Sequence, residues 1–332
     1  SGYIVLNGAI PFIDYWLISG LLQDYMQVIF FYIFGVNWQS YVLHASLINA
    51  LITISTFFVL KNFKLKTTYC FFYSLLFSIL AYPSSGTPFI DHHSAFFSLL
   101  GIYSLLLAIN NQKKLYWILT PIFLGLAFLS KQVPATYIIL SVGFILFLYS
   151  LANKKLDYIK YFLISSVSFV FLILIFGKSQ GITLSSFLDQ YIFYPQTIGA
   201  ERFDRLSLSL TYQHIIGKFN LIFLVIIPLL YENFKKIFST KNYIKHDNFY
   251  VFLTLLFLTF SLILHQLLTR NQTFIFFLIP ILSSFSQISL NNSKLKFKKP
   301  ICFIIVLICL FATFKYHLRF NENRKFHELK NT

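Results

Sequence analysis

YVLHASLINALITISTFFVLKNFKLK (residues 41–66) is the stretch that decides the fold. From Tyr41 to Leu60 no acidic side chain, lysine or arginine interrupts the run, and Lys61, Lys64 and Lys66 then follow in close succession. A helix rises 1.5 Å per residue, so ~20 apolar residues cover the ~30 Å hydrocarbon core of a bilayer. Lysines directly beyond such a run mark its cytoplasmic end. Residues 41–66 therefore read as one transmembrane helix followed by a cytoplasmic loop.

Working outward, the same alternation of apolar run and short polar punctuation recurs along the chain. It places spans near 41–60, 67–83, 95–110, 115–130, 133–151, 160–177, 215–231, 249–268, 273–289 and 300–316. The fold class expected is all-α, a polytopic transmembrane helical bundle of about ten spans. The whole composition agrees: 57% of the 332 residues are hydrophobic, 11% are charged, and the mean hydropathy is +0.70. Such a chain is too apolar for a soluble fold. We expect one transmembrane domain over 1–332 and, because a polar segment opens the chain at Ser1, a further helix preceding it.

The net charge of +16 does not point to nucleic acid, because the basic residues lie in clusters between apolar runs instead of along one face. Cys70, Cys302 and Cys309 fall inside apolar runs without Cys-x-x-Cys or Cys/His spacing, which argues against disulfides and zinc–cysteine sites. Lysines of alternate loops, 61–66, 113–114, 154–160, 235–245 and 294–299, define the cytoplasmic side. All five arginines, and Asp14, Asp24, Asp91, Asp189, Glu201 and Asp204, then fall on the opposite side. Arginine offers a planar, bidentate fork suited to phosphate or carboxylate, so the outer face is the expected working face.

Two outer segments stand out by length. Residues 1–40 form the first outer loop, and Trp16 to Phe34 within it reads as an amphipathic helix in the interface because Gln23, Asp24 and Gln27 interrupt it. The long outer loop at 178–214 carries Phe187, Tyr191, Phe193, Tyr194 and Pro195, aromatic enough to lie against the membrane.

Four constellations can carry chemistry. In NGAIPFIDYW (residues 7–16) a single carboxylate, Asp14, sits between a proline and the pair Tyr15 and Trp16, placed to accept a proton from a substrate hydroxyl or simply to cap the interfacial helix. In PSSGTPFIDHHS (residues 83–94) Asp91 is a second catalytic carboxylate or, with Ser94, an N-cap of the next span. A divalent ion held by Asp14, Asp91 and His93 is the metal arrangement these positions offer, with His92 as a substrate contact. In SKQVP (residues 130–134) Lys131 stands at headgroup level, to attract phosphate or to snorkel. Arg270, in TRNQ (residues 269–272), and Arg202 and Arg205, beside Glu201 and Asp204, are the remaining candidates for a lipid phosphate.

The pattern Gly8-x-x-Pro11-Phe12-x-Asp14-Tyr15-Trp16, an acid at Asp91 opening a later span, and Ser130-Lys131-Gln132-x-Pro134 together resemble the C-type glycosyltransferases that use polyprenyl-phosphate sugars. This superfamily includes the protein mannosyltransferases and the aminoarabinose transferase of lipid A. The topological resemblance extends over most of the chain. It implies that Asp14 matches the catalytic acid of the first outer loop and Asp91 the second acidic position. Lys131 and Arg270 would match basic positions near the lipid phosphate. The chain departs from the eukaryotic pattern in having Tyr15 after Asp14 where a second acid is expected.

The expected activity is inverting transfer of a sugar from a polyprenyl-phosphate carrier to an acceptor hydroxyl, on the outer face of a bacterial inner membrane. Its partners are the lipid-linked donor, a lipid, glycan or protein acceptor, and the bilayer. A flippase or transporter of lipid-linked glycans is the alternative from another class, and a glycan polymerase or ligase a third. A flippase would place ionisable residues deep in its spans, whereas here the spans carry scattered polar groups such as His44, Asn49 and His265.

Overall fold

The computed structural model describes residues 1–83, 86–153, 156–204, 206, 210–269 and 275–319. Among them no strand forms, apart from one isolated bridge between Pro11 and Tyr15. The helices are α1 (Gly2–Leu6), α2 (Leu21–Phe34), α3 (Trp38–Asn62), α4 (Thr67–Ala81), α5 (Ile90–Asn111), α6 (Lys114–Ser130) and α7 (Gln132–Asn153). They continue with α8 (Leu156–Ser179), α9 (Leu184–Leu188), α10 (Tyr194–Asp204), α11 (Lys218–Ser239), α12 (Asp247–Thr269), α13 (Leu278–Asn291) and α14 (Lys298–His317).

Among the described residues each expected span coincides with a helix, and seven helices are long and apolar enough to cross a membrane. The other three, α4, α6 and α13, fall short with 15, 17 and 14 residues. At 1.5 Å per residue they reach roughly 21–26 Å. The protein is thus a polytopic helical bundle whose members are of unequal length.

Its chain divides into two compact units. The first comprises Ser1–Ala45, Pro88–Thr211 and Ile244–Asn271. Here α5 is buried along nearly its whole length, with α6, α7 and α12 packed on it. Helix α8 meets α6, where Gly125 leaves room for the Phe169 ring, and turns most of its surface outward. Apolar side chains such as Leu163, Val167 and Phe171 are exposed there, as a lipid-facing helix requires. At the C-terminal end of α5, Gln112 Nε2 donates to Tyr149 Oη at 2.9 Å and Tyr149 Oη donates to Asp247 at 3.3 Å, tying the ends of α5, α7 and α12.

The second unit comprises Ser46–Thr87, Tyr212–Tyr243 and Gln272–Thr332. Its centre is α13, against which α4, α11 and α14 pack. Two hydrogen bonds between buried polar groups join its helices. Tyr73 Oη donates to Gln287 Oε1 at 2.7 Å, and Ser286 Oγ donates to the Val225 carbonyl at 2.6 Å.

One expectation gains an orientation and another changes. Helix α2 begins at Leu21, capped by Gly20, and it turns Asp24 and Gln27 inward while Ile29, Tyr32 and Ile33 are exposed. A helix with one polar and one apolar face can lie either way round, and here the polar face is satisfied by protein and the apolar face is left to lipid. The segment 184–204 is helical, and Tyr191 is fully buried where the sequence had it lying against the membrane. Its hydroxyl donates to the carbonyls of Leu129 and Phe128 at 2.7 and 3.0 Å, partners a lipid surface cannot offer.

Candidate functional site

Several segments singled out in the sequence meet at one end of the first unit. Gln190, in the π-turn after α9, is the main tie: its Oε1 accepts from Leu17 N–H at 2.9 Å and its Nε2 donates to the Phe12 carbonyl at 3.0 Å. Gln132 Nε2 donates to the carbonyls of Ile18 and Tyr191, at 2.7 and 2.6 Å. Gly20 N–H donates to the Ser130 carbonyl at 2.9 Å. Gly20 holds φ +88, and a Cβ there would stand 3.0 Å from Ile90, so a glycine lets the loop close onto both α6 and α5. Phe12, Leu17, Leu21, Leu129 and Tyr191 form the apolar floor beneath these bonds.

Replacing Gln190 by leucine strands the Leu17 amide and the Phe12 carbonyl. The expected loss is about 1–3 kcal/mol for each buried group left unpaired, read as a lower unfolding temperature in detergent. Gln190→Glu keeps an acceptor for Leu17 but faces the Phe12 carbonyl with a carboxylate, and it should fall between the two.

Asp91 lies in the first turn of α5, but it is not the cap of that helix. The N-cap is Phe89, without a side-chain cap bond, and Ser94 Oγ donates to the Lys131 carbonyl at 2.9 Å. Lys131 Nζ donates to both Asp91 oxygens at 2.7 Å, and His265 Nε2 on α12 lies 3.1 Å from Asp91 Oδ1. The Asp91 side chain is 2% exposed and that of Lys131 18%, so of this ion pair the lysine is the partner with some exposure. Arg202 is exposed on α10, close enough for its charge to act at His265.

Beside this centre runs a second polar chain. His93 Nδ1 faces the Phe89 carbonyl at 3.2 Å, His93 Nε2 meets His44 Nε2 at 3.0 Å, and His44 Nδ1 meets Gln27 Oε1 at 2.8 Å. These bonds join α2, α3 and α5. His92 packs instead between the rings of Phe89 and Phe96.

Asp14 is exposed, and its Oδ2 accepts from Ile10 N–H at 2.6 Å. It does not cap α2. The buried acid of this segment is Asp24, to which Ser1 Oγ and Tyr15 Oη both donate, the latter at 3.1 Å. Burial raises the Asp24 carboxyl above its ordinary value, and burial, followed by the charge of Asp24, pushes the Tyr15 hydroxyl up as well.

The grouping of Asp14, Asp91 and His93 as metal ligands does not form. Among the described residues no group of three or more His, Cys, Asp or Glu is arranged to hold an ion. The reason is visible in the bonds, since Asp91 is taken by Lys131 and His265, His93 by His44, and Asp14 by Ile10. Arg205 and Arg270 lie outside the described residues. Sequence reasoning undervalued His44, His265 and Gln27, although an intramembrane histidine is by itself a signal worth following.

Fold and site together define a multi-pass membrane protein with a buried ion-paired centre at one end of its helices. Residues 19–176, just under half of the chain, match the sequence profile of the dolichyl-phosphate-mannose-protein mannosyltransferase family. It contains α2 to α7, most of α8, and with them Asp91 and Lys131. No curated protein and no solved structure matches the chain.

Proposed function

We propose that this membrane protein is a glycosyltransferase that moves a sugar from a polyprenyl-phosphate carrier to an acceptor hydroxyl, with inversion, on the extracytoplasmic face of a bacterial inner membrane. The observation that carries the reading is the Asp91–Lys131 pair within the matched segment, a lysine side chain 18% exposed held by a carboxylate that is sealed. Lys131 is the group offered to the lipid phosphate. Asp91 acts through it, as the positioning residue that fixes the ammonium.

The acceptor oxygen attacks the anomeric carbon, and its proton passes to Asp14, the general base. The bond from that carbon to the phosphate oxygen breaks with its electron pair going to the phosphate. Charge therefore grows on the phosphate as the bond lengthens, and a fixed cation is worth most there. Arg202 is a second cation for this duty, and Arg270 and Arg205 stand as candidates from the sequence.

The test is the intact protein reconstituted in vesicles with radiolabelled polyprenyl-phosphate hexoses, mannose included, with and without chelator. Donor consumption that depends on the protein is the expected result. Movement of the donor across the bilayer without cleavage would instead make the protein a flippase, and intact donor under every condition would end the transferase reading.

A further inference from the structure

Gln266 on α12 has both polar atoms of its side chain buried without a hydrogen-bond partner, the one residue of which this holds among the described residues. It is 1% exposed. A leucine of similar volume would remove that unfavourable burial, so the amide is stable here only at a cost. Its chain neighbour His265 contacts Asp91 at 3.1 Å, and the Gln266 side chain leaves the same turn of α12 about 100° further round the helix.

Two more amides at this end of the unit are half paired. Gln23 Nε2 donates to the Pro88 carbonyl at 3.2 Å while its Oε1 has no partner, and Gln27 Oε1 meets His44 while its Nε2 has none. Unpaired donors and acceptors are thus both present near Asp91. A phosphate supplies acceptors alone and a prenyl chain neither. A hydroxyl donates and accepts, and an amide matches it on both counts.

Resting on the transferase reading above, we infer that Gln266 is a specificity-determining residue that binds a hydroxyl of the donor's sugar, accepting at Oε1 and donating from Nε2. Both atoms are buried and unpartnered in this structure, and the sugar hydroxyl is the partner inferred for them.

The experiment compares the full-length wild type with Gln266→Leu, and with Gln266→Met should the leucine variant fail to fold. Thermal unfolding, kinetics and equilibrium binding of labelled polyprenyl-phosphate hexose are measured for each. The variant should unfold at a higher temperature, because an unpaired amide has gone, yet lose about tenfold or more in kcat/KM for the donor. The KM for the acceptor should not move. Among donors lacking one hydroxyl each, one should cost the wild type the same factor and cost the variant nothing further. Higher stability with unchanged donor kinetics would mean that the amide pairs with water alone, and a shift confined to the acceptor KM would assign the hydroxyl to the acceptor. Either result overturns the inference. A wild type that consumes no donor sinks the transferase reading, whereas the binding comparison still tests Gln266.

Discussion

Replacing Asp91 by alanine is expected to lower the stability of the protein by about 3–5 kcal/mol, because it leaves the Lys131 ammonium beside His265 with no counter-charge in a buried site. Lys131→Ala should be as harmful, since it strands a carboxylate whose side chain is 2% exposed. Removing both charges is a different matter. A buried ion pair replaced by apolar residues of similar volume is often neutral or stabilising, so Asp91→Leu combined with Lys131→Met should recover most of the unfolding temperature lost by either single variant. Activity should not recover with it. If Lys131 meets the leaving phosphate, the double variant remains about 10²–10³-fold down in turnover, the usual consequence of losing a placed donor to developing charge. Unfolding in detergent and donor turnover in vesicles separate the two effects. A double variant that is both stable and active would reduce the pair to a structural strut and remove the phosphate role from Lys131.

That pair also shows where sequence reading stops. Asp91 and Lys131 were each picked out, as single charges in short loops of an apolar chain, but they lie 40 positions apart, and nothing local says that one neutralises the other. His265 is 174 positions from Asp91, and in the sequence it is one polar residue in a long apolar run. The spans were legible because each is a run long enough to be decided by its own composition. Helix α2 was legible as a helix but not in its orientation: Asp24 and Gln27 on one face, Ile29 and Ile33 on the other, satisfy a headgroup-facing and a protein-facing placement equally. Tyr191 was misread for a related reason. An aromatic residue with a hydroxyl suits an interface and suits a buried site that offers a carbonyl, and only the fold supplies the carbonyls of Leu129 and Phe128.

Two carboxylates of the first segment can be told apart by substitution. Asp14→Asn keeps an oxygen to accept from Ile10 N–H, the bond that places the side chain at 2.6 Å, and removes the charge alone. If Asp14 takes the acceptor's proton, turnover should fall about 10²–10⁴-fold, while the lipid donor still binds, because the base is not part of the phosphate contact. A flippase would tolerate the same change. Asp24→Asn is the comparison. Asp24 is 6% exposed and accepts from Ser1 and Tyr15, so no acceptor hydroxyl reaches it in this arrangement. Its replacement should leave more than about a tenth of turnover, less than the usual weight of a general base. The pH profile adds an independent sign. Burial raises the Asp24 carboxyl, and a base acts only when ionised. A reaction that ran on Asp24 would therefore lose activity, as pH falls, at values above the ordinary carboxylate range, and that acid limb would vanish in Asp24→Asn. An unchanged Asp14→Asn enzyme with such a limb would move the proton-accepting role from the exposed acid to the buried one.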